Sequence, residues 1–154
     1  LDGLVRAGVL SRRTEGNRSY FQADPACPFL EELRGLIEKT VGLVAQLGRV
    51  LEPFKAKVSV AFVFGSVARG AERSESDVDL MVVGTLGVKE LVPGLREVEG
   101  RLGRPVNVHT YTPEEFTDKA RAKHHFLTEV LAREKLFVIG SKHDVDALLE
   151  PRAG

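Results

Sequence analysis

The sequence predicts an α/β protein in which helices pack on a sheet, and three observations support this class. The second half of the chain alternates short apolar, β-branched runs with amphipathic helical stretches. The chain has 154 residues, which suits about one domain. Its 43% hydrophobic and 29% charged residues are ordinary for a globular protein and exclude a disordered or collagen-like chain.

Charge, hydropathy and cysteine content narrow the class of function. The 22 basic residues balance 22 acidic ones, which argues against a generally basic nucleic-acid coat protein but allows a local basic patch. No apolar run approaches the roughly 18 residues that span a membrane, so we expect no membrane partner. The single cysteine, Cys27, cannot form an internal disulfide, and we expect a cytoplasmic protein.

The alternation in the second half predicts four strands and four helices. Apolar, β-rich runs place the strands at Val58–Phe64, Val78–Val83, Pro105–Tyr111 and Lys135–Ile139. Helical spacing places the helices at Ser66–Ala71, Val88–Leu102, Thr112 to about Arg133, and Ser141–Leu149. Thr112 begins its helix with the signature of a capping box, in which Glu115 reaches back to it.

The first residues predict a small helical and hairpin module. Helical spacing up to Gly8 indicates the end of a helix, so we expect further structure before Leu1. Two polar strands, Leu10–Thr14 and Arg18–Ala23, are predicted to pair across a tight turn. Apolar residues three and four apart then predict one amphipathic helix over Phe29–Leu51.

Residues with chemistry follow the first predicted strand of the second half. Gly65 and Ser66 open a turn whose free backbone N–H groups can approach a phosphate. Asp77 and Asp79 lie two positions apart on a strand, so both carboxylates project from one face. Such a pair suits Mg²⁺, which binds one or two carboxylates together with substrate phosphates. A Gly-Ser pair alone is more often a plain turn, and an Asp-x-Asp pair alone is more often a solvated strand edge. Together the two motifs indicate phosphoryl or nucleotidyl transfer.

The joint pattern resembles the nucleotidyltransferases of the DNA polymerase beta superfamily, and among them the minimal nucleotidyltransferase-like domains. The family motif, Gly-Ser followed by Asp-x-Asp, stands here as Gly65-Ser66 and Asp77-Val78-Asp79, and the resemblance covers about 55–111. It implies a mixed sheet flanked by helices. It also implies that the two Asp residues hold two Mg²⁺ ions, and that the Gly-Ser turn holds the phosphates of a nucleoside triphosphate. Arg69 is a further candidate phosphate contact.

One position departs from the family pattern. The family has a third carboxylate on the following strand, and by alternation Asn107 takes that place here as the third candidate catalytic residue. An amide can coordinate a metal weakly but cannot accept a proton at neutral pH, so it stays open whether the chain is an enzyme. His109 shares the face of Asn107 and is either a base, a ligand or an exposed strand histidine.

The N-terminal module resembles the end of the recognition helix and the β-wing of ArsR-like winged-helix regulators. The residues that carry the resemblance are Leu1, Leu4, Gly8, Leu10, Arg12, Arg13, Gly16, Asn17, Arg18 and Tyr20. The resemblance implies DNA binding, with contacts to phosphates or a minor groove that give affinity more than sequence readout. The candidate contacts are Arg12, Arg13, Asn17 and Arg18, and the alternative is a solvated hairpin with ordinary surface arginines.

These features together predict three parts: the C-terminal part of a winged helix over 1–28, a linker helix over 29–52, and a nucleotidyltransferase-like domain over 53–154. The expected function is Mg²⁺-dependent transfer of a nucleoside monophosphate to an unknown hydroxyl, coupled to DNA binding. The alternative is a DNA-binding transcriptional regulator whose degenerate domain senses a nucleotide, or binds a helical toxin-like partner as an antitoxin does. Winged-helix regulators are usually dimers, so we expect a homodimer.

Overall fold

The computed structural model describes residues 2–16, 18–68 and 76–150, with the backbone alone for 34 and 36–40. The chain divides into two units, one up to Val41 and one from Gly42. The first unit holds a helix, two strands and the beginning of a long helix. These elements are α1 (Asp2–Arg6), β1 (Leu10–Glu15), β2 (Arg18–Ala23) and α2 (Leu30–Leu51).

The N-terminal helix and hairpin are confirmed. Gly8 has a φ of +72°, and the N–H of Val9 donates to the carbonyl of Leu4 at 2.9 Å, which closes the last turn of α1. Strands β1 and β2 pair antiparallel, with Leu10 opposite Ala23. The hairpin prediction is therefore correct to within one residue at each strand end.

Helix α2 is also confirmed, and it buries one stripe of its surface. Leu43, Leu47 and Leu51 recur at four-residue steps and are at most 2% exposed, whereas Val41 is 61% exposed. This is the amphipathic pattern that the spacing predicts. No helix in the described ranges is long and apolar enough to cross a membrane.

A mixed four-stranded sheet forms the second unit, as the sequence predicts. Its strands lie in the order β5–β4–β3–β6. The inner pair β4–β3 and the pair β3–β6 are antiparallel, and β4 and β5 are parallel. After a short 3₁₀ helix at Glu52–Lys57, the elements are β3 (Val58–Phe64), α3 (Gly65–Ala68), β4 (Val78–Gly84), α4 (Val88–Leu102), β5 (Val106–Tyr111), α5 (Pro113–Arg121), α6 (His125–Ala132), β6 (Leu136–Ile139) and α7 (Lys142–Leu149).

Each face of the sheet carries its own apolar cluster. On one face Val63, Leu80 and Val82 pack in a cluster with the buried leucines of α2 and α4. On the other face Phe62 and Met81 pack in a cluster with buried side chains of α5, α6 and α7, namely Phe116, Leu127, Val130 and Val145. Because both faces are covered, the central strands read as continuous apolar runs.

The sequence predicts one helix from Thr112 to about Arg133. This prediction is wrong in one respect, because the structure has two helices there. Helix α5 ends at Arg121, α6 begins at His125, and Lys123 between them has a φ of +53°. The three residues between the helices are all exposed, so no packing holds a continuous helix there. Both helices bury a large side chain in the same cluster.

Candidate functional site

The turn after β3 is built around a close approach between a glycine and a carboxylate. Gly65 has a φ of +79°, and a Cβ added to it would lie 2.5 Å from Oδ2 of Asp79. Phe64, the residue before it, is directly opposite Asp79 in the antiparallel pairing of β3 and β4. Only glycine fits both the backbone angle and the space. The predicted phosphate turn and the predicted metal ligand are therefore neighbours.

Three of the predicted catalytic residues come together at one end of β4 and β5. Asp79 is paired with Asn107 in the parallel register. The side-chain amide of Asn107 donates to Oδ2 of Asp77 at 3.1 Å and to Oδ1 of Asp79 at 3.5 Å. The amide thus lies between the two carboxylates, which face the same side as the sequence predicts. Asp77 and Asn107 are exposed, and Asp79 is half-buried.

The carboxylate pair has the donor chemistry that a divalent cation needs. Two nearby carboxylates repel each other unless positive charge lies between them. Apart from the Asn107 amide, neither Asp77 nor Asp79 has a hydrogen-bond or ion-pair partner in the described parts of the chain. In those parts, no cluster of three or more His, Cys, Asp or Glu side chains could hold a metal. Two adjacent carboxylates fit Mg²⁺ by their donor atoms, because this ion keeps several waters and takes further oxygens from substrate phosphates.

His109 lies beside this group and packs against two phenylalanines. Its ring centroid is 5.0 Å from that of Phe126 and 5.6 Å from that of Phe64. The imidazole makes no hydrogen bond to any described residue and is half-buried. The three roles set out for His109 stay predictions. The two phenylalanines were missed in the sequence, because only the packing of α6 on the sheet brings Phe126 there.

The remaining predicted site residues are placed as follows. Ser66 follows Gly65 on α3 and is half-buried. Arg69 and Asn17 lie outside the described residues. Glu115 is used in the capping box, where its carboxylate accepts from the N–H of Thr112 at 2.9 Å and its own N–H donates to the Thr112 hydroxyl at 3.1 Å.

The arginines of the hairpin do not share one face. Arg12 is paired with Phe21, and its guanidinium donates to the Ser19 hydroxyl at 2.9 Å and lies 3.6 Å from Asp2. Arg13 is paired with Tyr20 instead, so strand alternation puts it on the opposite face. Arg13 forms an ion pair of 2.6 Å with Glu15.

An open groove adjoins Asn107 at the edge of the sheet. It has a volume of about 600 Å³ and runs between α4 and the edge strand β5. Asn107 and His109 contribute to one wall, and Val92, Arg96 and Glu99 contribute to the other. Asn107 is thus open to the groove.

A mixed sheet with a Gly-Ser turn against an Asp-x-Asp pair is the arrangement expected of a nucleotidyltransferase fold. The family model described as the nucleotidyltransferase domain matches residues 45–138. This is more than half of the chain, and the chain belongs to that family. No curated protein matches the chain.

Solved structures share this fold at low sequence identity. A chain from a toxin–antitoxin complex with AMP-PNP is 17% identical with a TM-score of 0.50, and the match covers 69% of this chain and 80% of that one. A chain from a doubly Asp-to-Glu mutant of the MntA–HpeT toxin–antitoxin is 16% identical with the same TM-score and coverage. A third, at 14% identity and a TM-score of 0.48, comes from a tri-AMPylated Shewanella oneidensis HEPN toxin in complex with MNT antitoxin and covers 71% and 80% of the two chains.

The turn at Gly65 yields a prediction about stability. We expect Gly65→Ala to lower the free energy of unfolding by about 1–2 kcal/mol from the left-handed backbone alone, and by more because Asp79 must move. Gly100→Ala is the matched control, since Gly100 lies inside α4 with nothing within 4 Å of an added Cβ. It should raise stability by about 1 kcal/mol. Urea unfolding measures both, and a Gly65→Ala protein as stable as the parent would contradict the geometry.

Proposed function

We propose that the domain binds a nucleoside triphosphate together with Mg²⁺ and transfers its nucleoside monophosphate to a hydroxyl group of an acceptor. The observation that carries this proposal is that Asp77, Asp79 and Asn107 lie together, with Asp79 against the turn at Gly65. Membership of the nucleotidyltransferase family supports it, because that family typically uses a divalent metal.

Each residue has a role in this proposal that follows from its donor atoms. Asp77 and Asp79 would hold two Mg²⁺ ions through carboxylate oxygens. The backbone N–H groups after Gly65, the hydroxyl of Ser66 and the guanidinium of Arg69 would hold the phosphates. When bound, Mg²⁺ supplies neutralisation of the phosphate charge that develops during transfer.

The proposed reaction releases the proton of the acceptor hydroxyl, and none of the assigned residues serves as the general base for it. The acceptor oxygen forms a bond to the α-phosphorus, the bond from that phosphorus to the β-phosphate oxygen breaks, and pyrophosphate leaves. The hydroxyl proton must go elsewhere, and the Asn107 amide cannot take it at neutral pH. We infer that the proton passes to solvent, which is slower than transfer to a positioned carboxylate.

The amide at Asn107 also favours the second candidate function, in which the domain binds a nucleotide without turning it over. In that case the domain would sense the nucleotide for a DNA-binding regulator, or bind a partner protein as an antitoxin-like module. The structural neighbour determined with AMP-PNP is a toxin–antitoxin complex, which supports both a nucleoside triphosphate and a helical toxin-like protein as partners. The groove beside Asn107 is the proposed place for the acceptor or partner.

The carboxylates yield a prediction about binding. We expect the unmodified protein to bind ATP only when Mg²⁺ is present, and Asp77→Asn with Asp79→Asn to weaken that binding by about tenfold or more. Asp118→Asn, which removes an exposed carboxylate of α5, should leave it unchanged. Isothermal titration calorimetry measures the affinities. Equal affinity for the double variant and the parent would show that the carboxylates hold no metal–nucleotide complex.

The amide yields a prediction that separates an enzyme from a sensor. We expect Asn107→Asp to raise the rate of monophosphate transfer by about tenfold or more, because a carboxylate in this position can accept the hydroxyl proton. Transfer is measured with ATP labelled at the α-phosphate and a partner protein as acceptor, with Asn107→Ala as the control that removes the amide without adding a base. No gain in rate for Asn107→Asp would refute the assigned role of this position.

We further propose the division into a winged-helix part over 1–28, a linker helix over 29–52 and a nucleotidyltransferase-like domain over 53–154, with DNA bound by the first part. One face of the hairpin favours this. It presents Arg13 and Arg18 with Tyr20, which is 50% exposed, and such a face can contact phosphates. Glu15 lies on the same face and pairs with Arg13 at 2.6 Å. Arg12 lies on the other face, near Asp2 and Ser19.

The hairpin yields a prediction about salt dependence. We expect Arg13→Ala with Arg18→Ala to reduce the slope of log affinity against log salt by about 2, since each neutralised phosphate contributes about 0.9. Arg49→Ala, an exposed arginine of α2, should not change the slope. Fluorescence anisotropy with duplex DNA between low and moderate salt measures it. Absence of DNA binding at low salt would end the winged-helix proposal.

A further inference from the structure

An aromatic group stands beside the carboxylates, and the proposed reaction does not use it. The group consists of Phe64 at the end of β3, His109 on β5 and Phe126 on α6. The Phe64 and Phe126 rings meet edge to face, with centroids 5.7 Å apart and an interplanar angle of 74°. The His109 ring lies against both, at 5.6 Å and 5.0 Å. This packing fixes the plane of the imidazole.

The strand register places this aromatic group next to the proposed phosphate and metal residues. Phe64 is directly opposite Asp79 and immediately precedes Gly65. His109 follows Asn107 by two residues and pairs with Met81, so it is a diagonal neighbour of Asp79. Strands β3 and β5 are two strand spacings apart, or about 10 Å. A ligand with its phosphates at Gly65 can therefore extend across Asp79 to His109.

The aromatic group is open on its outer side. Phe64 is only 7% exposed, but His109 and Phe126 are half-buried. The imidazole nitrogens have no hydrogen-bond partner among the described residues. The one buried side-chain atom without a partner in those residues is Oε1 of Gln46, so the imidazole nitrogens are not buried. They are therefore in contact with solvent. A ring with a fixed plane and free polar edges offers both stacking and hydrogen bonding to a flat ligand.

We propose that His109 and Phe126 form the platform on which the base of the bound nucleoside triphosphate stacks. This inference rests on the proposed function, because it assigns the base end of the nucleotide whose phosphates lie at Gly65. Stacking on an aromatic side chain accepts any base and strengthens with the area of the ring system. Purine nucleotides should therefore bind more tightly than pyrimidine nucleotides.

The test compares ATP with inorganic tripolyphosphate, which has the phosphates but no base. Isothermal titration calorimetry with Mg²⁺ is run on the full chain and on Phe126→Leu and His109→Leu, which keep apolar volume but remove the aromatic face. Phe126→Tyr restores the aromatic face. Phe29→Ala, which removes an exposed aromatic ring from the segment before α2, is the control for loss of an aromatic side chain elsewhere.

We expect both leucine variants to bind ATP about tenfold more weakly and tripolyphosphate as the parent does, while Phe126→Tyr and Phe29→Ala leave both affinities unchanged. Equal ATP affinity in the parent and the leucine variants would overturn the platform and leave the proposed function standing. An equal loss for ATP and tripolyphosphate would also overturn it, because the effect would not depend on the base. Failure of the parent to bind either ligand would refute the proposed function itself, and the platform with it.

Discussion

The approach of the Asp79 carboxylate to the backbone of Gly65 is the constraint on which the rest of the site depends. The left-handed backbone at Gly65 takes the chain from β3 into α3. The absence of a Cβ leaves room for the carboxylate, because a Cβ at Gly65 would lie 2.5 Å from Oδ2 of Asp79. The antiparallel register then holds Asp79 opposite Phe64, and the parallel register holds Asn107 beside Asp79. A side chain at Gly65 would separate the phosphate turn from the carboxylates.

The double-sided packing of the sheet gives this constraint its rigidity. Fully buried side chains lie on both faces of β3 and β4, such as Phe62 and Met81 on one side and Val63 and Leu80 on the other. Side chains in a close-packed core do not shift by fractions of an ångström without a cost in free energy. Side chains carried on such strands are positioned more precisely than side chains on loops. The exposed Asp77, which precedes β4, gains its position from the Asn107 amide.

Most of the fold and half of the site follow from local patterns in the sequence. Strands buried on both faces appear as apolar runs. Alternation put Asn107 on one face with His109, and the family resemblance aligned it with the carboxylates. What required the structure is non-local. The break at Lys123 carries no glycine or proline, and the contact of Phe126 with His109 depends on how α6 packs on the sheet. The four hairpin residues were grouped by resemblance, although the same alternation separates Arg12 from Arg13.

The most direct test of the account is a crystal structure of the protein with Mg²⁺ and a non-hydrolysable ATP analogue. The account predicts a metal ion coordinated by carboxylate oxygens of Asp77 and Asp79 at about 2.1 Å, with the phosphates against the backbone of Gly65 and Ser66. A nucleotide bound elsewhere, or a carboxylate pair that faces only water while the analogue is bound, would contradict it.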